Sequence, residues 1–480
     1  MITFNSLPSI ISPVYNPIYF DVQSTNTSQG LFKYVFQLYS PFNASTILST
    51  VKMLPRPDTT CIYNPARILE SKLSFDSNIQ NIVTITASTN HYTSYKVNFG
   101  EEYQYNWNYS DYFYCNAFST FPYTAFTANI GFTGSTPHYY SSGDVITITH
   151  QSPAQNPQFT GTWTVLAVPN PYQIITSITS ATGSSAETGT TIYSDRRVTT
   201  ISGLTGYTGY TFNGVNQYDE IPSWNYLSYI MTGTTGSKKF LTNMPRNGVY
   251  LKNTNRGTLS FFNYLTTANI IRVITYQNSG GTLTTNIPIT IPNTNDIVHI
   301  PSGIYNINGM SANTINITRD YQYTVALVGG GGFISESILY LIDGRCSKYD
   351  GVRLQFLNRL GGYDYVNFDM VSRQTVNTTK SYFKKRLDYN YSVGAREKTV
   401  LDVNGNYVFT VNSNWMDDAE SAWMEELLTS SVVNIIQPDG TCLPVNVLEQ
   451  SVEIQKTINN KMIMYSFNLE SAFTINGQRS

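Results

Sequence analysis

The stretch CSKYDGVRLQFLNRLGGYD, residues 346–364, sets an apolar run, VRLQFL, a few residues ahead of the Gly361–Gly362 pair. The run reads as a central β-strand. RLGGYD reads as a tight turn that uses glycine's freedom at positive φ. Charged residues crowd this short core: Lys348, Asp350, Arg353, Arg359 and Asp364. The segment therefore either carries chemistry or holds two structural pieces in register. We favour the second. Arg359 and Asp364 flank the turn and are placed to lock it by a hydrogen bond or ion pair. The segment is expected to join a β-sandwich region to an α+β end.

Composition supports a structural role. Only 12% of the 480 residues are charged, against about 25% in an average soluble domain. Thr, Ser, Asn and Tyr fill the gap, with 37 tyrosines and 32 glycines. Tyr and Thr suit a pleated, half-buried surface, and Asn and Gly suit tight turns. The expected fold is mainly β and multidomain. It has immunoglobulin-like β-sandwich units, a small inserted β module and a C-terminal α+β unit. Hydrophobic residues make up 41%, too many for a disordered chain. A net charge of −2 gives no global field toward nucleic acid or an acidic membrane. The N-terminus has no basic n-region and reads as uncleaved. No apolar run of about 18 residues exists, so no membrane insertion is expected. Cys61, Cys115, Cys346 and Cys442 lack CxxC spacing and read as free thiols.

Length alone suggests about three domains, and the pattern along the chain divides it into four. Residues 1–124 form an N-terminal sandwich-like domain, with a helical turn in NPARILESKLSF and an aromatic stretch WNYSDYFY. Residues 125–215 form an inserted β-barrel or sandwich module around GDVITITH and GTWTVLAV. Residues 216–345 form a second sandwich-like domain, in which FISESILYLI reads as one strand. Residues 346–480 form the α+β domain. Its helix, MDDAESAWMEELLTS, takes Asn414 as N-cap and stacks Ala419, Trp423 and Leu427 on one face. In the strand MIMYSFNLESAF, the residues Ile463, Tyr465, Phe467 and Leu469 share a face.

Candidate chemistry is weak. Gly329–Gly332 precedes a strand, so a hairpin loop fits better than a phosphate cradle. His91, His138, His150 and His299 are dispersed and show no ligand spacing. Glu101–Glu102, Glu336 and Asp343 are candidate glycosidase carboxylates, but Glu336 equally suits a solvated strand face or a pair with an arginine such as Arg353. No catalytic residue, metal ligand or cofactor site is assigned, and no enzymatic activity is expected. The basic run KSYFKKR (Lys380, Lys384, Lys385, Arg386) is a candidate contact with lumenal DNA or an acidic neighbour. Trp107, Tyr112, Tyr114, Trp415 and Trp423 are candidate interface aromatics. Arg359, Gly361, Gly362 and Asp364 are candidate structural residues.

Three stretches carry a resemblance: PVYNPIYFDVQSTN…FKYVFQLY with PRPDTTCIYNPARILESKLSFD; FISESILYLIDGRCSKYDGVRLQFLNRLGGYDYVNFDMVSR; and WMDDAESAWMEELLTSS with its following strands. They resemble a virion structural protein type of tailed phages that infect Bacteroidetes hosts, the crAss-like and related phages. The resemblance covers roughly residues 10–120 and 320–480 and brings no catalytic residues with it. It implies a tail, neck or baseplate component located in the virion. The implied partners are copies of itself, in a ring or other symmetric assembly, and other virion proteins. The alternatives are a capsid or capsid-decoration protein of a large double-stranded DNA virus, and a carbohydrate-binding adhesin.

Overall fold

The computed structural model describes residues 2–29, 32–41, 46–76, 78–88, 90–104, 114–117, 128–133, 140–150, 161–180, 190–193, 197–198, 205–219, 224–233, 236–291, 296–330, 332–344, 348–457 and 462–476. The chain is mainly β, with several separate sheets and few helices. It divides into two units that are discontinuous in sequence. The first comprises residues 1–8, 18–65 and 95–209; the second comprises 9–17, 66–94 and 210–480.

In the first unit, strands Ile2–Ser6, Phe20–Ser24 and Thr60–Tyr63 form an antiparallel sheet. Strand Lys33–Tyr39 pairs on one side with Ile47–Met53 and on the other with residues 96–102. The two sheets share an aromatic core. Phe36 stacks on Tyr63 at 4.6 Å, and Phe99 meets Phe36 at 5.8 Å and Phe20 at 5.3 Å. Such offset and edge-on ring pairs add to area burial. A six-stranded antiparallel sheet follows, running from Tyr114–Ala117 through Ala128–Thr133, Gln173–Ser180, Gly161–Asn170 and Val145–His150 to Thr190–Tyr193. Val145 is exposed and Ile146 buried, as the alternation requires.

The second unit holds a four-stranded sheet, a sheet built on the long pair Ala268–Gln277 and Asp320–Gly329, and a seven-stranded antiparallel sheet. The order of the last is Tyr363–Phe368, Val352–Leu357, Val433–Ile436, Cys442–Val447, Ser466–Asn476, Lys398–Asn412, Arg373–Lys384. VRLQFL is thus an interior strand, and Arg353–Leu357 are all buried. Ile463, Tyr465, Phe467 and Leu469 are buried together. Val328 pairs with Phe333 and Gly329 with Gly332, so the glycine run closes a hairpin.

Two local expectations need correction. The helix spans Asp418–Thr429, and its cap is Asp417, not Asn414. Asp417 Oδ1 accepts from Glu420 N at 2.8 Å, and Glu420 Oε2 accepts from Asp417 N at 3.1 Å. This reciprocal capping box satisfies two orphan donors, which a lone Asn414 three residues upstream does not reach. Its buried stripe runs through Trp423, Met424 and Leu427, while Ala419 is exposed. FISESILYLI is also not one strand, because Ser335 and Glu336 turn aside before Ile338–Ile342. Ser335 Oγ accepts from Leu327 N at 2.8 Å, and Glu336 Oε1 accepts from Phe240 N at 3.0 Å. Polar side chains that bond to the neighbouring backbone in this way compete with the ladder.

Candidate interaction surface

The glycine turn is the best-determined of the expected features. Asn358 N donates to Gly362 O and Gly361 N to Asn358 O, at 2.9 and 3.1 Å. Asn358 Oδ1 accepts from the amides of Leu360 and Gly362, both at 3.0 Å. Gly361 sits at φ +81°, and a Cβ there would lie 2.7 Å from Asn213 O. A Cβ on Gly362 would lie 2.1 Å from Leu241 O. Both glycines are therefore required, one by backbone conformation and both by close approach.

Arg359 and Asp364 do not lock the turn to each other, as the sequence reading had it. Each reaches the Asp418–Thr429 helix instead. Arg359 Nε pairs with Glu426 Oε1 at 3.1 Å. Asp364 is buried and accepts from Thr242 Oγ1 and, at 3.0 Å, from Trp423 Nε1. The Trp423 ring packs on Phe356 at 5.5 Å. Helix and turn are thus tied twice, by an ion pair and by an indole–carboxylate hydrogen bond. Burial pushes the Asp364 carboxyl up. Burial, with the Asp364 charge nearby, also brings Glu426 up to about 7. Asn243 Nδ2 donates to Glu426 Oε1 at 2.6 Å, while its Oε2 is buried without a partner among the described residues.

Of the glycosidase carboxylates, Glu101 and Glu102 belong to the first unit and Glu336 and Asp343 to the second. Glu101 accepts from Ser24 and Asn26, both at 2.7 Å, and Glu102 pairs with Lys52 at 2.6 Å. Glu336 pairs with Arg246 at 3.0 Å, not with Arg353, whose guanidinium holds Arg256 O and Asn367.

Sequence spacing missed one network. Asp76, His91, His299 and Tyr363 come from four distant segments and meet in the core of the second unit. Asp76 Oδ2 accepts from Ser88 Oγ and lies 3.4 Å from His299 Nε2 and 3.9 Å from His91 Nε2. His91 Nε2 is 3.0 Å from Tyr363 Oη, which donates to Asp76 O at 3.0 Å. His299 Nδ1 is 2.8 Å from Ser260 Oγ. The Ser260–His299–Asp76 connectivity is that of a nucleophile, base and orienting acid. Yet Ser260 and His299 are 1% and 0% exposed, so no substrate carbonyl reaches the hydroxyl. Burial pushes His91 down to about 4 against the pull of Asp76. Burial opposes the Asp76 charge, but the His299 and Ser88 hydrogen bonds and the two imidazoles bring it down to about 2. The network reads as polar cement that fixes three strands and the glycine turn.

The basic run lies on an exposed ribbon. Arg373–Lys384 pairs antiparallel with residues 398–410 of the strand Lys398–Asn412, with one register shift between Ser381 and Tyr382. The third strand, Ser466–Asn476, pairs with residues 404–412. From Lys380 to Val403 the ribbon is therefore two-stranded among the described residues. Every residue from 372 to 382 is exposed, while the partner strand Lys398–Asn412 is mostly half-buried. Lys380, Lys384, Lys385 and Arg386 all point into solvent, and so do Val376, Tyr382, Tyr389, Tyr391, Val393 and Leu401.

Of the remaining candidates, Trp415 is 53% exposed and Trp423 is buried at the turn. Tyr114 begins a strand, but its side chain, with Trp107 and Tyr112, lies outside the described residues. Cys61 and Cys442 are free thiols; Cys346 and the Cys115 side chain also lie outside them. A polar groove of about 390 Å³ is lined by Trp224, Tyr229, Asn225, Lys239, Asn243 and Arg359.

No protein-family model matches the chain, and no curated protein matches it. Among solved structures, a chain named "Phage phi92 endosialidase" aligns at 10% identity, over 100% of this chain and 70% of that one, with a TM-score of 0.15. This is a weak similarity to a phage protein, and at that score it carries no argument about fold or site.

Proposed function

We propose that the protein is a non-enzymatic virion structural subunit of a tailed phage, part of the tail, baseplate or neck, that works by contacts with copies of itself and with other virion proteins. The observation that carries this reading is the exposed ribbon formed by Arg373–Lys384 and Lys398–Asn412. A two-stranded ribbon is marginal alone in water. The aliphatic and aromatic side chains exposed on it are available for burial against a partner. The resemblance of the N-terminal and C-terminal stretches to tailed-phage virion proteins points the same way. So does the low charge, which limits desolvation at broad contacts. Ring closure requires a heterologous contact, in which two different patches meet. Immunoglobulin-like topology in the sandwich-like regions belongs to this proposal. Sizing of the purified full chain over a concentration series, and localisation of the chain in intact particles by cryo-electron microscopy, test it. A chain that stays monomeric throughout and is absent from particles would refute it.

A second reading, a carbohydrate-binding adhesin, is favoured by the groove at Trp224, where Tyr229 stacks on the indole at 6.1 Å beside Lys239 and Asn243. Glycan-array binding lost in Trp224→Ala would support it.

A further inference from the structure

The ribbon and the C-terminal part of the second unit are opposite in charge. Residues 373–412 carry seven basic and three acidic residues; residues 413–480 carry nine acidic and three basic ones. A chain of net charge −2 thus conceals a strong internal separation, with the positive end on an uncovered arm. The negative end includes a receptive feature. A small cleft of about 60 Å³ is walled by Tyr250 and Trp415 and lined by the carboxylate residues Asp343, Asp369 and Glu420. Tyr250 and Trp415 are 50% and 53% exposed. Asp369 is paired with Lys252 at 2.7 Å, and Glu420 Oε2 accepts from Asp417 N at 3.1 Å in the capping box. Beside the cleft, Met416 pairs with Ile463 in an antiparallel bridge. That places Trp415 opposite Met464, and both are exposed, as are Met462 and Ile454. Asp418 and Glu453 are exposed on the flanking segments. An opening this small holds one side chain. Its aromatic wall and carboxylates suit a cation at the end of an apolar stem.

We propose that the ribbon of one copy docks on the Trp415 cleft of a second copy, with a lysine or arginine of the ribbon entering between Trp415 and the carboxylates. This rests on the assembly reading above and names the two surfaces that meet. The contact is heterologous: the arm meets a different patch on the neighbour, so it propagates or closes into a ring. The ribbon's exposed aliphatic residues, Val376, Val393 and Leu401, favour a protein partner over nucleic acid. Phosphates pair with the cations but leave those side chains wet.

Three forms of the full chain decide it: the parent, a ribbon variant (Lys384→Glu, Lys385→Glu, Arg386→Glu) and a cleft variant (Trp415→Ala). All four positions are exposed, and circular dichroism verifies that each variant folds. By sedimentation velocity each variant should self-associate at least about tenfold more weakly than the parent. Mixing the two variants should recover a dimer, because one retains an intact ribbon and the other an intact cleft. Raising salt should weaken the parent contact. Variants that associate like the parent, or a mixture that stays monomeric, overturn the proposal and leave the assembly function standing. A parent that never self-associates overturns both. If the ribbon variant assembles normally but loses binding to a short DNA duplex, the ribbon is a nucleic-acid contact and the proposal fails.

Discussion

Trp423 donates its indole N–H to the buried Asp364 carboxylate at 3.0 Å, and so ties the long C-terminal helix to the strand that leaves the glycine turn. Removing the donor leaves a buried acceptor with Thr242 and its nearby polar neighbours only. Trp423→Phe keeps most of the ring's packing on Phe356 and should cost about 1–3 kcal/mol of stability. Urea denaturation checks this as a lower midpoint at unchanged slope. An unshifted midpoint would mean that the bond contributes nothing.

Gly361→Val should be far more damaging. It places a β-branched residue at φ +81° and a Cβ within 2.7 Å of Asn213 O and the Phe212 ring. Strain and overpacking of this kind cost more than about 2 kcal/mol. The expected outcome is insoluble or unassembled protein, read by soluble yield and sizing. A variant that assembles at the parent's level contradicts the role given to the turn.

Glu426 titrates at about 7 in the folded chain, above the ordinary glutamate value of about 4.3. The folded state therefore holds the proton more tightly. The stability it contributes is complete at low pH and is lost as pH rises from the ordinary value through 7. Glu426→Gln removes this slope and should raise stability relative to the parent above pH 7, by up to about 3 kcal/mol. Thermal melts at pH 5 and pH 8 measure the difference. Equal parent-to-variant gaps at the two pH values would exclude it.

His91 works in the opposite sense. Its folded value of about 4 lies below the ordinary value of about 6.5, so the unfolded chain binds the proton first. Stability is complete above about pH 6.5 and falls on acidification toward pH 4. Asp76, at about 2, extends the loss below the ordinary aspartate range. In the parent, Glu426 and His91 oppose each other between about pH 4.5 and 6.5. The acid slope should therefore steepen in Glu426→Gln, and His91→Gln in that background should flatten it. Denaturation midpoints across that range decide the matter, and no difference between the two backgrounds would refute the pairing.

Much of the fold was legible because period-two alternation marks a half-buried strand wherever one face is covered. Ile463, Tyr465, Phe467 and Leu469 show this, as do Val145–Ile146, whereas VRLQFL, buried on both faces, was legible as an apolar run. The glycine turn was legible because few residues tolerate its geometry. Failures arose where polar side chains choose among neighbours close in sequence or far from it. Asn414 and Asp417 are both acceptable caps, and only Asp417 has a glutamate three residues on. Glu336, read as lying on a solvated face or pairing with an arginine such as Arg353, does pair with an arginine, but the partner is Arg246, met through a turn that no period marks. Arg359 and Asp364 bind the helix rather than each other, a choice made in three dimensions. Asp76, His91, His299 and Tyr363 span 288 positions of sequence, and local spacing has no signal for such a meeting. The basic run at Lys380 was visible as charge, but nothing in its composition announces that its strand stays exposed from residue 372 to 382.

The seven-stranded sheet is built out of order. Its central connection, Ser466–Asn476, follows every other strand of the sheet in sequence and joins Cys442–Val447 on one side to Lys398–Asn412 on the other. During synthesis the two halves must wait for it, and the ribbon has no anchorage in the sheet until it arrives. A chain that stops short of Ser466 would leave Asn404–Asn412 without the strand that joins it to the rest of the sheet, so the last strand to be made is the one that fastens the ribbon.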